Sequence, residues 1–203
     1  MQITAIQQQV KNKSRYSIYI DGKYSFSLSE QGLLSSGIVN GMELTSQQLD
    51  ELRDASVFDK AYARSLNLLA RRARSEWEIR DYLRRKDYDL GLIDQLVEKL
   101  VSKGYIDDHD FAQRWVENRR LLKQTSKRKL WQELKQKRVA DNVITEVLES
   151  DETDEKQVIL ELALRKQKTS RYKDRQKLMQ YLSRQGFRYD DITWALSQIT
   201  EEA

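Results

Sequence analysis

The first part of the chain alternates apolar and polar residues with the period of a β-strand. The alternation covers residues 3–9 and the two runs of RYSIYIDGKYSFSLS (15–29) that flank Asp21-Gly22. Asp-Gly between such runs predicts a hairpin with a type I′ turn, because both central residues of that turn need a positive φ. Three short strands bury little surface by themselves. We therefore expect them to pack on a short helix near 29–35 and on a helix capped by Thr45.

From about residue 58 the hydrophobic period becomes that of an α-helix, and the pattern repeats. Ile79 recurs as Leu130 and Leu178, after 51 and then 48 residues, and a leucine follows four residues after each. The matching segments are 75–89, 126–140 and 173–187. Recurrence of apolar positions at nearly constant spacing is typical of tandem helical repeats.

Each repeated segment follows another helical pattern, so the repeating unit is a three-helix bundle. The preceding helices are predicted over 61–73, 108–122 and 154–167. Ser75 with Glu78 forms a capping-box pattern, and Ser126 and Thr153 stand at other expected N-caps. The predicted fold class is mainly α, with three tandem three-helix repeats in an elongated array, preceded by a small three-strand region with short helices. The predicted segments are an α+β extension and three repeats: 1–58, 59–107, 108–152 and 153–203.

Composition narrows the possible classes of protein. The 203 residues include no proline and only 7 glycines, which favours long uninterrupted helices. Cysteine is also absent, which excludes disulfides and thiolate metal sites. No apolar run approaches the ~20 residues of a membrane span, and the N-terminus lacks the pattern of a signal peptide. We therefore expect a soluble, monomeric, cytoplasmic protein that does not contact membranes.

Charge is unevenly distributed along the chain. The net charge is +4, but residues 113–138 hold ten basic and two acidic side chains, and residues 165–177 hold seven basic and one acidic. Residues 146–155, in contrast, hold six acids and no base. Segregated basic blocks on helices indicate a polyanion-binding protein, although solvated helix faces give the same pattern. Contact with nucleic acid is therefore one of two open interpretations.

The stretch YIDDHDFAQRW (105–115) gathers three aspartates around His109, the only histidine. A hydrolytic metal site needs ligands that converge from separate segments, whereas Asp107, Asp108 and Asp110 are near neighbours at one helix start. Asp107 suits the N-cap, and Asp110 suits the first turn, where the helix dipole favours an acid. We therefore expect structural acids and no catalytic residue, metal or cofactor. A metal-dependent nuclease that uses these three aspartates is the competing hypothesis.

The sequence GYIDDHDFAQRWVENR (104–119), preceded by SEWEIRDYLRRKDYDLGLIDQLVEKLVSK (75–103), resembles the RecX family of RecA regulators. That family has a G-Y-[IL]-[DN]-D-x-x-[FY]-A signature, here on residues expected to be structural: Gly104, Tyr105, Asp107, Asp108, Phe111 and Ala112. An upstream family element matches Arg72, Arg74, Ser75, Glu78, Ile79 and Leu83. The resemblance covers about 58–200, and residues 1–57 resemble the N-terminal extension of some members.

The resemblance implies a regulator, not an enzyme, that binds the RecA filament on single-stranded DNA. Similar proteins lie in the filament groove, contact more than one subunit, and generally inhibit ATP hydrolysis, strand exchange and filament-promoted repressor cleavage. These are activities of recombination, DNA repair and the SOS response. Several weak contacts, one from each repeat, would sum to useful avidity. One departure is that 121–131 (LLKQTSKRKLW) has no glycine, where members often have a glycine-containing turn. The alternative is a stand-alone nucleic-acid-binding protein.

Candidate contacts are the basic residues that the apolar stripes leave exposed. In the first repeat they are Arg71, Arg72, Arg74, Arg80, Arg84 and Arg85. In the second they are Arg119, Arg120, Lys123, Lys127, Arg128, Lys129, Lys135 and Lys137. In the third they are Lys166, Lys168, Arg171, Lys173 and Lys177. Their partner is either DNA phosphate or an acidic RecA surface, and arginine suits bidentate pairing with both. Trp77 and Trp131 begin the second helices, where packing is favoured over stacking on a base.

Overall fold

The chain folds into two compact units. The computed structural model describes residues 1–201. The first unit comprises Met1–Ala73 and Ile79–Tyr105, and the second comprises Arg74–Glu78 and the chain from Ile106 onward. The finer division of the chain, with boundaries after residues 58, 107 and 152, stays a prediction. Residues 202–203 of its last segment lie outside the described residues.

The N-terminal alternation forms the predicted antiparallel sheet of three strands. These are β1 (Ile3–Gln8), β2 (Arg15–Ile20) and β3 (Lys23–Ser29), in the spatial order β1-β2-β3. Asp21 and Gly22 have φ angles of 48° and 78°, as a type I′ turn requires. The hairpin prediction is therefore confirmed.

One face of the sheet carries the first hydrophobic core. Ile18, Phe26 and Leu28 are buried there in one cluster with Leu49. Strict alternation along β3 would put Tyr24 on the same face as Phe26 and Leu28, but Tyr24 is 57% exposed. The register shifts after Ile18, so that Tyr24 pairs with Tyr19 and packs edge-on against its ring. This irregularity therefore breaks the alternation of β3 at Tyr24.

Two helices pack on this sheet, α1 (Glu30–Ser36) and α2 (Ser46–Leu69). The Thr45 hydroxyl accepts a hydrogen bond from the Gln48 amide, and the Gln48 side-chain oxygen accepts one from the Thr45 amide, which confirms the predicted capping box. The expectation of a separate helix over 61–73 is wrong, because α2 runs unbroken for 24 residues and ends at Leu69. No glycine or proline lies within α2, so no residue interrupts the helix near residue 58. Residue 58, a predicted boundary, lies inside α2.

The rest of the described chain, up to Glu201, forms the repeated helices. They are α3 (Glu76–Arg84), α4 (Leu90–Ser102), α5 (Asp108–Lys123), α6 (Lys127–Gln136), α7 (Asp141–Glu149), α8 (Glu155–Gln167), α9 (Arg175–Arg184) and α10 (Tyr189–Glu201), with one 3-10 turn at Ser170–Tyr172. The end of α2 precedes α3 and α4 as the first helix of the first repeat, and α5–α7 and α8–α10 form the later two. The predicted apolar positions are all buried: Ile79, Leu83, Leu130, Leu134, Leu178 and Leu182. The mainly helical, repeated fold is therefore confirmed.

The second helix of every repeat ends in the same backbone motif. One residue shortly after each helix is left-handed: Asp87, Arg138 and Gly186. The amide of the next, apolar residue then donates to the carbonyl of a buried leucine: Tyr88 to Leu83, Val139 to Leu134, and Phe187 to Leu182. This is the Schellman pattern, which pairs carbonyls that a helix end would otherwise leave without a donor.

Two further helix ends, the start of α8 and the end of α5, show features that were not predicted from the sequence. Thr153 was expected to cap the first helix of the third repeat, but Asp154 does so, accepting from the Lys156 amide. Thr153 instead donates to the Asp151 carboxylate, so the prediction was wrong by one residue. At the end of α5, Gln124 has a φ of 51° and adopts the left-handed conformation for which glycine is the usual residue. Among the helices of residues 1–201, none combines the length with the apolar composition that a membrane span needs.

Candidate binding surface

The acidic cluster at the start of α5 caps helices. Asp107 accepts hydrogen bonds from the amides of His109, at 2.8 Å, and Asp110, at 3.1 Å, which confirms it as the N-cap. Asp110 lies in the first turn and pairs with Arg114 one turn later. His109 is exposed, with Nε2 3.6 Å from a Glu146 carboxylate oxygen. These positions give every member of the cluster a local structural partner or an exposed site.

Asp108 caps a different helix from the one it begins. Its carboxylate accepts a hydrogen bond of 2.8 Å from the amide of Glu76, the first residue of α3. Burial raises the pKa of Asp108, and the nearby carboxylates of Glu76, Asp107 and Glu78 raise it further, although the amide of Glu76 acts in the opposite direction. The family signature therefore positions an acid that satisfies an amide of another helix start.

Ser75 links the same helix start to the end of α6. Its hydroxyl accepts from the Glu78 amide at 3.3 Å and donates to the Lys137 carbonyl at 2.9 Å. The Lys137 ammonium in turn pairs with the Glu78 carboxylate at 2.6 Å. Ser75 is fully buried, so the predicted N-cap also joins two repeats through hydrogen bonds.

The second and third repeats are joined by the same arrangement. Ser126 caps α6 through the Lys129 amide and donates to the Gln185 carbonyl at 2.7 Å. The Lys127 amide donates to the carboxylate of Glu155, which begins α8 as Asp108 begins α5. The Lys129 ammonium contacts the Gln185 side chain at 2.9 Å, at the position of the Glu78–Lys137 pair. We call each of these two arrangements a serine junction.

The structure shows no metal-ligand cluster at the aspartates. Within residues 1–201, no three His, Asp or Glu side chains converge as they would around an ion. The remaining signature residues are structural or exposed. Phe111 and Ala112 are buried, Gly104 has a φ of +69°, and Tyr105 is 52% exposed.

More than half of the candidate cations already have partners. Ion pairs join seven of them to an acid: Arg80 to Asp94, Arg85 to Asp81, Arg119 to Glu133, Arg120 to Asp151, Lys135 to Asp141, Lys137 to Glu78 and Lys177 to Asp174. Others contact carbonyls or aromatic rings: Arg72 with Ala73, Lys127 with Asp151, Lys129 with Arg184, and Lys166 and Arg171 with Tyr172. Arg74 is half-buried and also has a partner. The sequence could not have revealed the pairs between distant residues.

Arg120 is the clearest case of a candidate that does not face solvent. Its side chain is only 9% exposed, and it contacts Asp151, Glu155 and the Thr125 carbonyl. Burial alone would raise the pKa of Asp151, but hydrogen bonds from Thr153 and Arg120, with the charge of Arg120, bring it below its ordinary value. Arg120 therefore stabilises the second unit from inside.

The other candidates are exposed and have no partner among residues 1–201: Arg71, Arg84, Lys123, Arg128, Lys168 and Lys173. Arg128 begins a stripe on α6 that continues with Trp131 and Lys135, at a spacing that puts the three side chains on one helix face. Trp131 is 39% exposed, and the Lys135 ammonium lies 5.5 Å from its ring centre. We call these three residues the α6 stripe.

The exposure of Trp131 differs from the sequence expectation, which favoured packing. The indole of Trp115, in contrast, is half-buried and donates to Glu133.

Two leucines at the end of α5 are also exposed, Leu121 by 80% and Leu122 by 68%. Lys123 follows them directly, so apolar and basic side chains are adjacent there. The sequence pattern assigned these leucines to a helix and gave no sign of their exposure.

Family comparisons cover almost the whole chain, in sequence order. Residues 1–45 match the regulatory protein RecX N-terminal domain, and residues 61–105 match the RecX first three-helix domain. Residues 107–148 and 154–196 match the second and third three-helix domains of RecX.

Individual relatives agree with these matches. A regulatory protein RecX of Listeria monocytogenes serotype 4b (strain F2365) is 33% identical over 210 aligned positions, covering 100% of this chain and 77% of the relative. That of Bacillus subtilis (strain 168) is 31% identical, covering 98% and 78%. A crystal structure of regulatory protein RecX superimposes with a TM-score of 0.72 at 28% identity, covering 97% and 98%. The structure of RecX from Lactobacillus salivarius shares the fold, with a TM-score of 0.60 at 24% identity and coverage of 70% and 96%.

Proposed function

This chain belongs to the RecX family of regulatory proteins, and on that premise we propose that it binds the RecA filament on single-stranded DNA and inhibits it. The inhibited activities would be ATP hydrolysis, strand exchange and the repressor cleavage that the filament promotes. The observation that carries this proposal is the match of all four RecX domains in order along the chain. The role is regulatory, so the protein binds and does not catalyse.

Unpaired cations in each repeat support the way in which it would bind. Four exposed cations have no pairing residue within the described chain: Lys123 and Arg128 in the second repeat, and Lys168 and Lys173 in the third. Their ammonium and guanidinium groups are therefore available to an acidic surface of another protein. Each exposed ion pair contributes about 0.2–1 kcal/mol. Several such contacts on neighbouring RecA subunits would add through high effective concentration, which explains how weak contacts suffice.

The direct test is the rate of ATP hydrolysis by RecA on single-stranded DNA. We expect this chain to slow hydrolysis when it is present at well below one molecule per RecA subunit. Simple competition for naked DNA would require amounts close to the number of DNA sites. Unchanged hydrolysis at every ratio would contradict the proposal.

Charge-reversal variants test which surface makes the contact. Lys123→Glu with Arg128→Glu should weaken inhibition about tenfold or more, because two attractive contacts become repulsive. The matched control is Lys86→Glu with Lys103→Glu, which changes the charge equally at exposed lysines outside the candidate set. Equal effects of the two double variants would indicate non-specific attraction by net charge and would remove the assignment of the surface.

The α6 stripe favours a second candidate function, direct binding of single-stranded DNA. An exposed tryptophan one turn from the guanidinium of Arg128, unpartnered within residues 1–201, is a combination that stacks on a base while neutralising a phosphate. Binding of a fluorescent oligo-dT to this chain alone should then fall by about tenfold in Trp131→Ala, since stacking contributes roughly 1–3 kcal/mol per base. It should also weaken steeply with salt. Inhibition of RecA that survives in Trp131→Ala would separate filament binding from binding of free DNA.

We also propose that the chain acts as a monomer in the cytoplasm, where RecA acts. Light scattering during size-exclusion chromatography should give the mass of one chain, 24.1 kDa.

The nuclease hypothesis is tested by incubating this protein with labelled DNA and divalent cations. We expect intact DNA, and Asp107→Ala should change thermal stability only.

A further inference from the structure

A long groove crosses the first unit and is lined only by residues of that unit. Its volume is 1310 Å³, which exceeds the roughly 300–1,000 Å³ of sites for small molecules. One face of α2 forms its length, from Gln48 through Ala55 to Leu66. A helix rises about 1.5 Å per residue, so this face extends for about 27 Å. The dimensions therefore suit a segment of polypeptide.

The floor of the groove is apolar and aromatic. Phe58, Tyr62 and Leu92 line it, and all three are only half-buried. Phe58 and Tyr62 lie one turn apart on α2 with their rings stacked, at a centroid distance of 6.3 Å. Val57 adds an exposed apolar side chain at the margin. An apolar helix face open to solvent over this length is the kind of surface that amphipathic helices bind.

The rim is acidic, although the chain as a whole is basic. Four exposed carboxylates line the groove, from Glu51, Asp54, Asp87 and Asp89. A fifth, Asp59, is neutralised by Arg15 at 2.9 Å. Lys99 is the single basic residue of the lining. The groove therefore attracts cations.

Lys99 shows how a cation is accommodated there. Its ammonium lies 4.7 Å from the ring centre of Tyr62 and 5.2 Å from that of Phe58. Cation–π contacts of this kind contribute most where water is excluded. The aromatic pair thus already holds one ammonium of the chain itself, on an otherwise acidic surface.

We propose that this groove binds an amphipathic helix of a partner protein, with its apolar face on α2 and its Lys or Arg side chains toward the acidic rim. The proposal does not rest on RecA inhibition, because it concerns only the first unit and a partner defined by its charge pattern. In a complex, a partner cation competes with Lys99 for the rings of Phe58 and Tyr62. Removing the Lys99 charge should therefore strengthen binding.

The test uses the full chain and two fluorescent helical peptides of about 18 residues, the number that spans about 27 Å. Both have leucines along one face; one has lysines at the edges of that face and the other has glutamates. We expect the lysine peptide to bind with saturation and the glutamate peptide to bind at least tenfold more weakly. Equal binding of both peptides, or binding of neither, overturns the proposal.

Variants place the binding in the groove. Glu51→Lys with Asp54→Lys should weaken the lysine peptide about tenfold, since two attractive contacts are reversed. Glu149→Lys with Glu152→Lys, an equal charge change at exposed acids of the second unit, should leave the affinity within about twofold. Lys99→Gln should tighten binding severalfold, and Lys60→Gln, at an exposed lysine outside the lining, should not. Equal effects of each variant and its control, or a groove variant that instead dissolves a dimer of this chain, also overturn the proposal.

Discussion

Replacing Gly186 with alanine should lower the free energy of unfolding by more than the strain of the backbone conformation alone would. Gly186 has a φ of +87°, and an L-residue in the left-handed region costs about 1–2 kcal/mol. The added Cβ would also lie 2.5 Å from the Ser126 hydroxyl oxygen, far inside van der Waals contact. That hydroxyl caps α6 and donates to the Gln185 carbonyl, and each of these contacts contributes about 1 kcal/mol. We therefore expect Gly186→Ala to lower the free energy of unfolding by about 3 kcal/mol.

A double-mutant cycle separates the two causes. In Ser126→Ala the hydroxyl is already absent, so Gly186→Ala should cost about 1–2 kcal/mol there, for its backbone and for the contacts of the added Cβ with the Cβ and the amide nitrogen of Lys129, at 3.1 and 3.2 Å. The free energies come from urea unfolding followed by circular dichroism and extrapolated to water. Gly104→Ala is a further control, because Gly104 has a φ of +69° and nothing within 4 Å of an added Cβ. Equal costs of Gly186→Ala in both backgrounds would refute the role of the junction hydroxyl.

Three further predictions concern buried charges and pH. Arg120→Ala should lower the free energy of unfolding by about 3 kcal/mol, measured by urea unfolding, because it leaves the Asp151 carboxylate without its cation. Asp108→Asn should match or exceed the original stability at pH 7, while Asp108→Ala should lose about 1 kcal/mol with the cap of Glu76. The raised pKa of Asp108 means that its ionisation opposes folding as pH rises, a penalty that asparagine lacks. The lowered pKa of Asp151 stabilises the fold above the unfolded pKa, so acid titration below about pH 4 should destabilise the original chain more than Asp151→Asn.

Local signals predicted the elements of this fold well, because each depends on neighbouring residues. The Asp21-Gly22 hairpin, the Thr45 capping box and the Asp107 cap all follow from side chains within a few positions of one another. The sequence pattern does not predict the unbroken length of α2, because the period changes near residue 58 as it does at a boundary, although no helix breaker stands there. Sequence period reports what a helix packs against, and one helix can change its packing partners without ending.

The candidate surface was less predictable, because accessibility depends on partners far away in sequence. Arg120 and Arg128 belong to the same basic block, yet Asp151 contacts the first and the second faces solvent. Asp108 begins α5, yet it accepts from the amide of Glu76, which is 32 positions earlier. No local pattern encodes these contacts, since they arise only when separate helices come together.

The two serine junctions share a hydroxyl-to-carbonyl hydrogen bond but differ in the side chains beside it. Glu78 faces Lys137 in the first, and Lys129 faces Gln185 in the second. If the second repeat were duplicated within the chain, Lys129 of one copy would meet Lys137 of the next, two ammonium groups in place of a neutral pair. The order of the repeats therefore depends on the side chains at the serine junctions. Exchanging or multiplying repeats would require new pairs for these charges.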